Sequence, residues 1–224
     1  MASKRRKKAA SNNNQQSSPI EVPPKRFRPL SKSQQQAYET IGQYDITFLI
    51  GPAGTAKTHT AAAWAIEAIK SGKYEKAIFT RPIVEACESL GWLPGTIDEK
   101  IAPYMAPLNI CADKVGRGDI KIESAPIAYL RGVTFENSVA ILDEAQNCTR
   151  PQLKLYLTRF GRGSKMIICG DSSQSDIRGT GLDQMVHDLT GVDGIGVHIF
   201  SSSDTVRHPL VERIINRLSE CGDT

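Results

Sequence analysis

Ile46-Thr47-Phe48-Leu49-Ile50-Gly51-Pro52-Ala53-Gly54-Thr55-Ala56-Lys57-Thr58 runs from an apolar segment into a glycine-rich turn and ends on a Lys-Thr pair. Ala61-Ala62-Ala63-Trp64-Ala65-Ile66 follows and reads as a helix. Strand, glycine-rich turn, Lys-Thr and helix, in that order, form a phosphate-binding P-loop. Consecutive backbone N–H groups and a helix N-terminus converge on one point, where a polyphosphate anion satisfies them. Gly51, Pro52, Ala53, Gly54, Thr55, Ala56, Lys57 and Thr58 are therefore the expected nucleotide-binding residues. Lys57 is expected on the β- and γ-phosphates of ATP, and the Thr58 hydroxyl on Mg²⁺. The pattern asks for Gly where Ala56 stands; if that position needs a positive φ, Ala costs roughly 1–2 kcal/mol there.

Upstream, Leu30-Ser31-Lys32-Ser33-Gln34-Gln35-Gln36-Ala37 reads as the start of a helix, with Ser31 or Ser33 as its cap. Downstream, the pattern predicts strands at Lys76–Arg81, Ile120–Ser124, Ser138–Leu142, Lys165–Cys169 and Val197–Phe200. It predicts a helical turn or two at Pro126–Leu130 and helices at Pro151–Leu157, Leu182–Leu189 and Pro209–Leu218. Thr149 is the expected cap of the first of these helices, with Pro151 in its first turn. The stretch Pro82–Gly118 is too long for an ordinary connection and reads as a functional insertion. Alternating strands and helices imply a parallel sheet covered on both faces.

At 224 residues, 40% hydrophobic and 23% charged, the chain suits one soluble domain with appendages. No apolar run approaches membrane-spanning length, so no membrane partner is expected. The basic N-terminus continues into Ala9-Ala10-Ser11-Asn12-Asn13 and lacks the apolar core of a secretory signal. Five widely spaced cysteines without a C-x-x-C pair argue against a disulfide scaffold or structural zinc. A reducing, cytoplasmic compartment is the simpler expectation. Cys169 reads as core and Cys148 as inert despite its place near the expected site. In residues 1–29, Lys4, Arg5, Arg6, Lys7, Lys8, Lys25, Arg26 and Arg28 face Glu21 alone, a surplus of +7, so the remainder carries −3 of the net +4. Residues 1–29 read as a disordered basic tail ahead of a domain over 30–224. Lys4–Lys8 is either a tether for a phosphate backbone or a solubilising run.

Three strands end in polar clusters: the P-loop, Asp143-Glu144 and Gly170-Asp171. Ligands of open α/β sheets bind at the carboxyl ends of strands, so parallel strands bring all three to one edge. Asp143, after an apolar run, has Walker B form and is expected to hold Mg²⁺ through its outer coordination shell. Glu144 is placed to polarise the attacking water. Gln174 is placed to sense the γ-phosphate, so that hydrolysis releases its amide and moves whatever it holds.

Asp143-Glu144-Ala145-Gln146 and Gly170-Asp171-x-x-Gln174 resemble motifs II and III of superfamily 1 helicases. A Leu four residues before Gln34, upstream of the P-loop strand, resembles the adenine-reading Q motif of the same enzymes; a plain helix cap is the other reading. The PhoH-like family is the closer resemblance. Arg81-Pro82 with Val84-Glu85-Ala86, Leu90–Gly95, Arg131-Gly132, Ile141–Asn147 and Val206–Val211 carry it together with the P-loop. Departures are Ala56, and Cys87 where such proteins usually carry Gly. The resemblance implies a three-layer α/β/α P-loop NTPase, RecA-like, with a mostly parallel sheet. It implies an ATPase tied to single-stranded RNA or DNA, with Arg207 as an arginine finger; a structural ion pair is the alternative for Arg207. His208 reads as structural and His59 as a helix-surface residue. One P-loop core in these residues, with Arg207 beside it, points to a homo-oligomer, a hexameric ring by RecA-like precedent. The competing reading is a nucleotide-dependent regulatory module with little hydrolysis. A small-molecule kinase would leave Asp143–Gln146 and Gly170–Gln174 without an obvious task.

Overall fold

The computed structural model describes residues 27–82, 97–116, 118–171 and 181–206, with positions 210, 213, 214 and 217. Six strands form one sheet: β1 (Ile46–Ile50), β2 (Lys76–Thr80), β3 (Ile122–Ser124), β4 (Ser138–Leu142), β5 (Lys165–Gly170) and β6 (Ile195–Ile199). The order across it is β3-β2-β4-β5-β1-β6, and every pairing is parallel. The helices are α1 (Lys32–Gln43), α2 (Lys57–Lys70), α3 (Ile97–Lys114), α4 (Arg150–Leu157) and α5 (Leu182–Leu189). This is the three-layer α/β/α architecture of the P-loop NTPases.

Each central strand faces two cores, which is why its sequence is apolar throughout and not alternating. Leu49, Phe79, Ile141 and Ile167 point to the face covered by α1, α2 and α3, where Ile41, Ile66 and Leu108 meet them. Phe48, Ile78, Leu142 and Ile168 point the other way, against Leu153, Tyr156 and Leu182 of α4 and α5. Each fully buried Phe or Leu contributes about 1.5–3 kcal/mol. Helix α2 is buried from Thr60 to Ile66 because it lies beneath the sheet between α1 and α3. Its run of alanines lets those neighbours approach closely.

Local rules explain the ends of the elements. Ser31 caps α1, its hydroxyl accepting the Gln34 N–H at 3.1 Å. Thr149 precedes α4, and the Gln152 side chain reaches back to the Thr149 N–H at 2.8 Å, with Pro151 in the first turn. Strand β6 begins two residues earlier than its apolar pattern suggests and ends before Phe200: Ile195 and Gly196 pair with Ile46 and Thr47, a partnership that Gly196 conceals in the sequence. The 82–118 stretch contains the 18 residues of α3, which packs on α2 and closes the crossover from β2 to β3. Its segment 83–96 lies outside the described residues. Of the last expected helix, positions 210, 213, 214 and 217 are described and helical. Phe27, assigned to the tail by composition, stacks on Tyr38 at 5.0 Å and gives its N–H to Glu67 Oε1 at 2.7 Å.

Candidate active site

The carboxyl end of β1 turns sharply into the P-loop. Gly51 has φ 151, and a Cβ there would meet Phe200 Cβ and O at 2.7 Å, so only glycine fits against the end of β6. Ala56 adopts φ 64, ψ 28, the left-handed region, and α2 starts at the next residue. The condition attached to Ala56 in the sequence is therefore met, with a strain of roughly 1–2 kcal/mol. Lys57 Nζ donates to the carbonyls of Gly51 at 2.6 Å and Pro52 at 2.8 Å, so the ammonium lies along the loop it would share with phosphates. Burial pushes that ammonium below its ordinary value, while Asp171, Glu144 and Asp143 nearby oppose the shift.

Strand β4 brings its acids to the same edge. Thr58 Oγ1 donates to Asp143 Oδ1 at 2.6 Å, across 85 positions of sequence and over the top of β5, which separates β1 from β4. Asp143 is buried, and burial raises its carboxyl above the usual range, against the Thr58 hydroxyl bond. A hydroxyl and a buried carboxylate in contact are hard oxygen donors that suit Mg²⁺, which takes one or two protein oxygens and completes its shell with phosphates and water. Glu144 follows in the left-handed region at φ 55, ψ 41. Arg81 Nη2 donates to its Oε1 at 2.9 Å and Gln146 Nε2 to its Oε2 at 2.6 Å. Gln146 Oε1 in turn accepts the Asp171 N–H at 2.9 Å.

Ala53, Gly54, Ala56, Lys57, Thr58, Asp143, Glu144, Gly170 and Asp171 line one cleft of about 280 Å³, together with His59, Cys111 and Gln146. His59 is half-buried there, tilted against Phe27 at 5.8 Å, and does not sit on the open helix surface that its position suggested. A larger cavity, about 750 Å³, opens at the opposite ends of the strands around Lys73, Arg162 and Lys165 and holds none of the expected site residues. Cys148 is fully buried, and burial pushes its thiol up to about 12.

Gln34 is buried in α1 and is not among the residues that line the cleft: its Oε1 accepts the Leu30 N–H at 2.9 Å, and its Nε2 has no partner among the described residues. Gln174 and Arg207 lie outside the described residues, as does His208. Val206, just before Arg207, gives its N–H to the carbonyl of Gly54 at 3.0 Å. Arg81, Gln146, Asp171 and Cys111 carried no assigned role in the sequence. The strand-end rule that selected Asp143 also covers Arg81, which follows the last residue of β2; Cys111 sits in the last turn of α3 and has no such signal.

With this geometry in hand, the family model described as PhoH-like protein matches residues 26–219. The chain belongs to the PhoH-like family. It is 46% identical to a PhoH-like protein of Bacillus subtilis over 85% of this chain and 63% of that one. It is 39% identical to the Protein PhoH of Escherichia coli over 84% of this chain and 57% of that one. The chain thus spans about three-fifths of the length of these PhoH-like relatives. Among solved structures, the large terminase of a thermophilic bacteriophage, in complex with ADP, superposes with a TM-score of 0.54 at 12% identity. That match covers 82% of this chain and 49% of the terminase, and it bears on the fold alone. Among the described residues, no helix is long and apolar enough to cross a membrane.

Proposed function

We propose that the chain is a Mg²⁺-dependent ATPase whose turnover drives conformational work on single-stranded RNA or DNA. The observation that carries the hydrolytic part is the 2.6 Å contact of Thr58 with Asp143, with Glu144 on the wall of the same cleft. In this reading the P-loop N–H groups and Lys57 bind the triphosphate, and Gln34 reads the adenine edge. Thr58 and Asp143 hold Mg²⁺, which supplies neutralising charge at the phosphates. Glu144 takes a proton from water as the water oxygen bonds to the γ-phosphorus. The bond from that phosphorus to the β–γ bridging oxygen breaks, leaving ADP and phosphate. Arg207 stabilises the charge that gathers on the transferred group, and Gln174 senses its departure.

Phosphate release, followed with and without single-stranded RNA and DNA oligonucleotides, tests the reading. ATP-dependent release stimulated by an oligonucleotide is the expected result. Tight ATP binding with no release, with or without oligonucleotide, would leave the regulatory module, which the strained Ala56 favours. A homo-oligomer, a ring by RecA-like precedent, is the proposed assembly. The bond from Val206 to Gly54 of the same chain favours Arg207 acting on its own subunit's nucleotide within that assembly.

A further inference from the structure

The side chain of Glu144 is held from two sides, by Arg81 after β2 and by Gln146 two residues further along its own connection. A residue with a Cβ stays in the left-handed region, as Glu144 does, only where its surroundings hold it there. Arg81 engages one carboxylate oxygen at 2.9 Å and Gln146 the other at 2.6 Å. Neither contact is loose. Gln146 is buried, and its amide oxygen is fixed by the Asp171 N–H, which settles which end of the amide faces Glu144. Arg81 directly follows β2, and the Asp143 N–H bonds to the Thr80 carbonyl at 2.9 Å, so the backbones that carry Arg81 and Glu144 are locked together. Arg81, Glu144, Gln146 and Asp171 form one chain of contacts across the carboxyl ends of β2, β4 and β5, which are neighbours in the sheet.

We propose that Arg81 is a positioning residue for Glu144. It clamps the carboxylate against Gln146 in the orientation that takes the proton from the attacking water. The inference rests on the ATPase reading and on Glu144 as its base. In this role Arg81 acts through Glu144, and it is not among the residues that line the cleft. Freed of the clamp, a left-handed glutamate with rotatable side-chain bonds would leave the productive orientation, and such misplacement of a reacting group lowers turnover steeply. Affinity for ATP rests on the P-loop and would be untouched.

The test compares wild type, Arg81→Gln and Arg81→Lys in single-turnover hydrolysis of bound Mg·ATP. Nucleotide affinity is measured in parallel with a fluorescent ATP analogue. Arg81→Gln is expected to slow hydrolysis about tenfold or more, with the Kd for nucleotide within about twofold of wild type. Arg81→Lys, which keeps the charge but not the planar fork, is expected to recover part of the rate. Adding Arg81→Gln to Glu144→Gln is expected to cost nothing further, since both act at one carboxylate. Unchanged hydrolysis in Arg81→Gln overturns the clamp. So does an equal loss of affinity and rate, which marks a structural residue, and so does faster hydrolysis, which marks a restraint on Glu144. If Arg81→Gln does not fold, Arg81→Lys decides alone: a rate equal to wild type, or a matched loss of affinity, overturns the clamp. A wild-type chain that binds ATP and never cleaves it defeats the ATPase reading and the clamp with it. An active wild type with an indifferent Arg81 defeats the clamp alone.

Discussion

Ala56 shows how one side chain sets the cost of a loop. Its φ of 64 belongs to glycine, and α2 nonetheless starts at the next residue. Relief of the left-handed strain in Ala56→Gly is roughly 1–2 kcal/mol. The freer unfolded chain gives back about 0.4–1 kcal/mol. The net expectation is a stabilisation of up to about 1.6 kcal/mol, read as a higher urea midpoint at unchanged m-value; a lower midpoint would show that the loop carries no such strain. In the proposed function Lys57 and Glu144 would separate binding from chemistry. Lys57→Ala removes the cation proposed to meet the phosphates and should weaken ATP binding about 10- to 100-fold by calorimetry. Glu144→Gln keeps the size of the side chain, turns one of its two accepting oxygens into an NH2 donor and loses the proposed base. It should bind ATP as wild type does and turn it over ~10²-fold more slowly. Near-normal turnover in that variant would remove Glu144 from the mechanism.

At the scale of elements, the join between α1 and β5 is made by a buried lysine. Lys165, the first residue of β5, donates through Nζ to the carbonyls of Ile41 and Tyr44 at the end of α1, and its ammonium lies 4.9 Å from the Trp64 ring centroid. It serves the orphan carbonyls that every helix leaves at its C-terminus. Burial, with Lys73 nearby, pushes it down to about 8 from 10.5. Between those values the unfolded chain holds the proton that the folded chain has lost, so stability rises with pH across that window. Cys148 works in the opposite sense above its ordinary value of 9, because the unfolded thiol ionises first. The comparison that isolates Lys165 is wild type minus Lys165→Met. That difference in unfolding free energy should move in favour of wild type from about pH 8 to about pH 10, with the Cys148 contribution cancelling. A flat difference would mean that the carbonyls hold the lysine charged throughout.

For the whole molecule, charge and assembly are the open quantities. Residues 1–26 hold seven basic side chains and Glu21, a surplus of +6 on a chain of net +4. Their deletion leaves Phe27 and its contacts in place. If the tail captures nucleic acid, the truncated protein should bind a single-stranded oligonucleotide more weakly, with a shallower dependence on salt. An identical salt slope would reduce the tail to a solubiliser. In the proposed assembly, Arg207→Ala and Lys57→Ala proteins, each expected to be inactive alone, should stay inactive when mixed, because Val206 ties the chain before Arg207 to its own P-loop. Recovered phosphate release in the mixture would instead assign Arg207 to the neighbouring subunit's nucleotide.

The P-loop, the acids after β4 and the run of apolar strands were legible in the sequence because each is a local signal. Gly51, Gly54, Lys57 and Thr58 stand within one turn of chain, and a strand buried on both faces is apolar wherever it lies in the sheet. Helix α4 was legible to within one residue, because Thr149, Pro151 and Gln152 carry their own start signal. Helix α3 was not: two prolines and mixed polarity over Ile97–Lys114 hide a helix that packing against α2 holds together. Strand order was likewise undetermined, since parallel partners are far apart in the chain and pairing depends on crossovers that no local pattern records. That order places β5 between β1 and β4 and brings Thr58 to Asp143 across 85 residues. It also brings Arg81 to Glu144 across 63. Residue types and short spacings name the chemistry available to this chain; only folding brings Thr58 to Asp143 and Arg81 to Glu144, because bonds of 2.6 and 2.9 Å between residues so distant exist only once the sheet has set their strands side by side.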